Sequence, residues 1–159
     1  MTCGIYDYDP GAIMPPQRKD WDCSAAATAW LGRSLGWEWA ELDVAYEFVR
    51  AGIANPQVGL LDGTGAGIVR WLALQPFAAE NLRVDYDIVL DLVAGCPCII
   101  GSTGWYHWSG VRGFSNEGLS LANSAPGWAG IGQTLSREQF ASFGDFYAVT
   151  PKTSSSLLP

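Results

Sequence analysis

One histidine, two methionines and four cysteines are all that this 159-residue chain holds of the scarcer reactive side chains, and its nine Lys and Arg are outnumbered by sixteen Asp and Glu. The shortage of cations, which leaves a net charge of -7, excludes nucleic acid as the main partner, because neutralising phosphates takes a cationic face. It disfavours an anionic membrane surface for the same reason. Long apolar runs are also missing. The stretch from Cys96 to Gly101 breaks off within a few residues, well short of the roughly 20 needed to cross a bilayer, so no membrane insertion is expected. Four cysteines are too few to staple a mini-protein, and a chain that is 48% hydrophobic can bury a core without disulfides. Cys3, Cys23, Cys96 and Cys98 are therefore read as reduced thiols. The opening MTCGIYDYDP places Asp7 and Asp9 where a secretory signal carries a basic start and an apolar stretch. The chain as encoded is expected in the cytoplasm.

What is present divides into two halves. The first 22 residues, with Pro10, Gly11, Pro15 and Pro16, predict an extended strand and then an irregular loop. Helices follow. The run from Ser24 to Leu35 is rich in Ala and Leu, with Asp20 and Asp22 ahead of it and Gly36 behind. A second helix is expected over 40–51, with Leu42, Ala45, Tyr46 and Val49 on its buried face. A third is expected over 66–74 before Pro76, and a fourth over 88–94 ending at Gly95, with a short extended piece between them near 82–84. From Pro97 the pattern changes to short strands at 98–100, 107–114, 119–122 and 145–150, separated by turn-forming residues. Ser136 and Gln139 have capping-box spacing, which places a short helix at 137–142. Helices first and an antiparallel meander second make a single α+β domain over 1–151, with a loose tail over 152–159.

The lone histidine restricts the chemistry, since any Cys–His or Ser–His catalysis must use His107. Its plain alternative is a satisfied core histidine. Cys23 lies at the start of the Ala-rich helix, where unpaired N–H groups and the positive dipole end favour a thiolate; its alternative is a small buried residue. Gln17, six residues earlier, could offer an amide N–H to an oxyanion beside the thiol. Asn123 ends the strand that would pair with the one beginning at His107, so its amide oxygen could accept the imidazole N–H and fix the tautomer.

Taken in order, the four residues give Gln, Cys on a helix, His on a strand and Asn on the next strand. With DWDCSAAA (20–27), AGCPCIIG (94–101), HWSGVRGF (107–114), LSLANSAPGW (119–128) and LSREQFASFGDFYAV (135–149), the chain resembles the papain-like cysteine peptidases. The resemblance is greatest to the compact branch of double-glycine leader peptidases and their stand-alone relatives, and it covers most of the chain. It implies N-terminal helices packed on a C-terminal antiparallel sheet. It further implies Cys23 as nucleophile, His107 as base and then acid, Asn123 as orienter, and Gln17 with the Cys23 N–H as oxyanion hole. Two positions depart from the pattern: Ser24 stands where the family usually has Gly, and Asn123 where this branch often has Asp. The activity implied is hydrolysis of peptide or amide bonds through an acyl-enzyme, with a peptide or protein as partner and no cofactor. A stand-alone processing peptidase and a cell-wall-peptide hydrolase, the latter delivered by phage or a secretion apparatus, both fit. The rival class is a catalytically silent papain-like domain that binds a peptide or a partner protein.

Other constellations carry less. Cys96 and Cys98 form a C-x-C without the second ligand pair that zinc needs, so no metal is expected. The run from Gly63 to Gly67 lacks the Lys of a phosphate loop and is read as a helix start. Asp20 with Asp22, and Asp85 with Asp87, could pair as in a glycosidase, but capping and solvated loops account for them. Ser102 and Ser109 lack the setting of a nucleophile elbow. Of eight tryptophans, Trp21, Trp105, Trp108 and Trp128 are expected near the Cys–His pair as the walls of a substrate groove. Oligomeric state is not legible.

Overall fold

The computed structural model describes residues 7–75 and 77–152. The expected extended start over 1–6, Cys3, Pro76 and all of the expected tail beyond Lys152 lie outside them. Lys152 itself, assigned to that tail, donates its backbone N–H to the Ala78 carbonyl at 3.0 Å.

Helix α1 (Cys23–Ser34) is buried along almost its whole length, as its small side chains require, and it stops before Gly36, whose φ of 94° is cheap only for glycine. Helix α2 (Glu41–Arg50) packs on α1 through Val44, Ala45 and Phe48. This face is rotated from the expected one: Tyr46 is exposed. The phase is set by Phe48, whose ring meets Trp71 edge-on at 5.4 Å, a long-range contact that periodicity alone does not contain. Strands β1 (Ala54–Asn55) and β2 (Gly59–Leu60) form a two-stranded ribbon, too short to leave an alternation in the sequence. Helix α3 (Ala66–Ala73) starts after Gly65, in line with the reading of the glycine run. Helix α4 (Tyr86–Val93) is capped by Asp85, which accepts the Ile88 N–H at 2.8 Å. Helix α5 (Arg137–Ser142) carries the expected capping box of Ser136 and Gln139.

Six strands make the main sheet: β3 (Ala79–Val84), β4 (Cys98–Ser102), β5 (His107–Ser115), β6 (Gly118–Ala122), β7 (Thr134–Leu135) and β8 (Phe146–Pro151). All neighbours are antiparallel, in the order β3-β8-β4-β5-β6-β7. The arrangement is not the expected plain meander, because β8 fills the slot between β3 and β4. That slot exists because α4 connects β3 to β4 and keeps them from pairing directly. The sheet has an apolar layer on each face. Trp30, Phe48, Leu72, Ile99 and Val149 belong to the layer beneath α1, α2 and α3; Val89, Ile100, Phe140 and Phe146 belong to the layer beneath α4 and α5. At Gly110 on β5 an added Cβ would collide with the Trp30 indole, so α1 approaches β5 as closely as a glycine allows.

Among the described residues the expectation of reduced thiols fails at Cys96, which is disulfide-bonded. Cys23 and Cys98 are free. Composition argues only that a core of this size needs no cross-link, not that one is absent.

Candidate active site

Cys23 is the first residue of α1 and His107 the first of β5, so the close α1–β5 contact brings the two elements together at the same end. Both side chains line one cavity of about 130 Å³. The β1–β2 ribbon, through Val58, Gly59 and Leu60, and Thr103 and Tyr106 of the β4–β5 turn line the same cavity. Backbone N–H groups of Trp108, Ser24 and Cys23 itself reach the Cys23 sulfur and favour the thiolate. Burial outweighs them and, with the neighbouring Asp22 carboxylate adding to it, pushes the thiol up to about 11. Desolvation thus outweighs the pull of the helix terminus toward a thiolate.

His107 is 3% exposed. Burial holds its imidazole below the usual 6.5, with the Asn123 hydrogen bond working in the opposite direction. The resting pair thus favours a neutral thiol and a neutral imidazole. Nε2 lies 2.9 Å from Asn123 Oδ1. Asn123 Nδ2 donates to the Gly132 carbonyl at 2.7 Å, which settles the amide orientation: the oxygen faces the ring, so Nε2 carries the proton and Nδ1 is left as the basic nitrogen. The same Oδ1 accepts the Ala125 N–H at 3.0 Å, and Gln133 brackets the Asn123 backbone through both of its amide atoms. The ring is held from its other side by Trp105, edge-to-face at 4.9 Å. The turn leading to His107 is pinned in turn by Ser102. Its hydroxyl donates to the Phe143 carbonyl at 3.0 Å and accepts the Gly104 N–H at 3.1 Å.

Gln17 does not line the cavity. Its Nε2 donates to the Lys19 carbonyl at 2.8 Å, and its Oε1 accepts the Ser124 hydroxyl at 3.0 Å. Ser124 was not singled out by sequence reasoning, although its place directly after Asn123 was a usable signal. Of the four tryptophans expected to wall the groove, Trp21 and Trp108 line the cavity. Trp105 is 1% exposed and has no face left for a ligand; it packs on His107 because the β4–β5 turn folds it into the core. Trp128 is half exposed and donates Nε1 to the Trp105 carbonyl at 3.1 Å, outside the cavity lining. Among the described residues no group of His, Cys, Asp or Glu is arranged to hold a metal ion, and no helix is long and apolar enough to cross a membrane.

No protein-family model matches the chain, and no curated protein does. Solved structures do. A double-glycine-motif protease from an AMS/PCAT transporter, determined in complex with a leader peptide, superposes with a TM-score of 0.66 at 16% identity, over 96% of this chain and 99% of that one. The peptidase domain of Streptococcus ComA, a bi-functional ABC transporter of a quorum-sensing pathway, gives 0.67 at 21% identity, over 89% and 98%. A protein from Bacillus anthracis described as a C39-like peptidase gives 0.62 at 14% identity, over 91% and 96%. At these identities the likeness is one of fold, and it spans nearly the full length on both sides. The chain has the α+β, papain-like fold of the double-glycine leader-peptidase domains.

Proposed function

We propose that this protein is a cysteine peptidase in which Cys23 is the nucleophile, His107 the general base and acid, Asn123 the orienter of the imidazole, and Gln17 with the Cys23 N–H the oxyanion hole. The observation that carries the reading is the shared cavity of Cys23 and His107, combined with the His107 Nε2 to Asn123 Oδ1 hydrogen bond that leaves Nδ1 free. With both groups neutral at rest, Nδ1 takes the thiol proton as the sulfur attacks the carbonyl, so the thiolate forms only as it is used. The imidazolium, stabilised by Asn123, then protonates the departing amine, and the neutral ring activates the water that releases the acyl-enzyme. One Gln17 amide hydrogen is engaged with Lys19; the second, with the Cys23 N–H, which at rest reaches its own sulfur, would serve the oxyanion. An extended peptide is the substrate class, and the leader peptide bound by one structural neighbour supports it. Trp21 and Trp108 are proposed as the aromatic walls.

Incubation of wild type and Cys23→Ala with a mixed peptide library, cleavage products being read by mass spectrometry, tests this. Cleavage by wild type alone is expected. Equal product patterns from the two proteins would overturn the peptidase reading in favour of a peptide-binding domain.

A further inference from the structure

Directly behind the nucleophile lies a pair of acids that the proposed chemistry does not use. Asp22 is wholly buried and Glu41 is 3% exposed. Asp22 occupies the N-cap position of α1, yet its side chain does not cap the helix; Oδ1 accepts the Lys19 N–H at 3.3 Å. Glu41 opens α2 and has Arg18 Nε at 3.9 Å, on a side chain that is two-thirds exposed. The Asp22 side chain acts on the Glu41 carboxyl and raises it. Asp22 Oδ2 and Glu41 Oε1 are nevertheless buried without any donor. Ionised carboxylates only accept, so neither acid satisfies the other unless one of them carries a proton. Two buried negative charges facing a single solvated guanidinium would be strongly unfavourable, whereas an acid–carboxylate pair makes a short charge-assisted bond.

We propose that Asp22 and Glu41 share one proton and that this pair is the positioning clamp that ties the Cys23 turn of α1 to the start of α2. Only its consequence at Cys23 rests on the peptidase reading. Desolvation first, and then Asp22, push the Glu41 carboxyl up to about 8, while the guanidinium and backbone of Arg18 work against them; the charge of Asp22 also raises the Cys23 thiol. At neutral pH the clamp is closed and places one negative charge beside the thiol. As the shared proton leaves on the alkaline side, a second charge appears there, the two helix starts repel, and the thiolate becomes harder to form.

The test compares wild type with Glu41→Gln, whose amide N–H can replace the shared proton, and with Glu41→Ala, which leaves Asp22 buried and alone. Infrared difference spectra between neutral and alkaline pH should show a protonated-carboxyl C=O band in wild type that is absent from Glu41→Gln. Because the native state holds a proton that the unfolded chain releases above 4.5, the wild-type melting temperature should fall relative to Glu41→Gln as pH rises toward about 8, and level off above it. Alkylation of Cys23 by iodoacetamide, read by peptide mass mapping, should be slowed about tenfold or more in Glu41→Ala, as expected for a displaced reacting group, and restored in Glu41→Gln. Absence of the carboxyl band, or parallel stability profiles for wild type and Glu41→Gln, overturns the shared proton. Equal alkylation in all three proteins overturns the clamp. A band and a stability slope in a protein that cleaves no peptide of the library would uphold the shared proton and count against the peptidase reading.

Discussion

Ser124 donates its hydroxyl to Gln17 Oε1 at 3.0 Å and accepts the Gln17 backbone N–H on its carbonyl at 3.3 Å. The residue before it, Asn123, holds His107. One dipeptide leaving β6 therefore sets both the imidazole and the proposed oxyanion amide. Ser124→Ala should lower kcat about tenfold with little change in KM, less than the 10²–10³ that loss of an oxyanion donor itself costs. Ser124→Thr, which keeps the hydroxyl, should recover most of the rate. Steady-state kinetics on a peptide found in the library screen checks both.

Exchanging Asn123 for aspartate should be costly here. Its Nδ2 donates to the Gly132 carbonyl at 2.7 Å, and Asn123→Asp would set two acceptors against each other. The expected cost is about 1–3 kcal/mol of stability, together with a loss of activity. Asn123→Ala should leave a weakened but measurable enzyme, since the residue orients without exchanging protons. Urea unfolding and kcat/KM on the two variants distinguish these outcomes.

His107 is the only histidine, so its ring protons can be followed by NMR without assignment. Burial holds its native value below 6.5. The native state therefore binds this proton less readily than the unfolded chain, and the contribution to stability is present above 6.5 and lost as pH falls through the native value. Activity should share that acid limb, because Nδ1 must be free to act as a base. Trp105→Leu, which opens the ring to water, should move the NMR midpoint and the acid limb upward together.

Gly110→Ala should be disruptive out of proportion to one methyl group. The added carbon meets the Trp30 indole, and the overpacking should cost about 1–3 kcal/mol. Because α1 carries Cys23 and β5 carries His107, the push also separates the two reacting groups. A fall in kcat larger than that of an equally destabilised variant elsewhere in the sheet, with folded protein verified by circular dichroism, is the expected signature.

The local devices of this fold are readable in the sequence where one residue type suffices. Ser136 and Gln139 announce α5, Gly65 marks the start of α3, and the Ala-rich run marks α1. What escaped depends on contacts between distant segments. The rotation of α2 follows from Phe48 meeting Trp71, the two-residue strands β1 and β2 have no period to detect, and β8 reaches its slot only after β3 and β4 exist. At the candidate site, the pairing of His107 with Asn123 was legible because an amide at the end of the neighbouring strand suits an imidazole N–H. The place of Asp22 was not: an acid before an Ala-rich helix reads as a cap, and only its burial beside Glu41 supports the different role proposed above.

The place of β8 also has a consequence for vectorial synthesis. The last described strand is an interior one, and among the described residues β3 pairs with it alone. A nascent chain that has already emitted Cys23, His107 and Asn123 still cannot join β3 to β4 until residues 146–151 leave the ribosome. Closure of the sheet depends on contacts of long sequence separation, which form slowly. The β3 edge of the sheet is thus joined late, after the segments that carry Cys23, His107 and Asn123 have all been made.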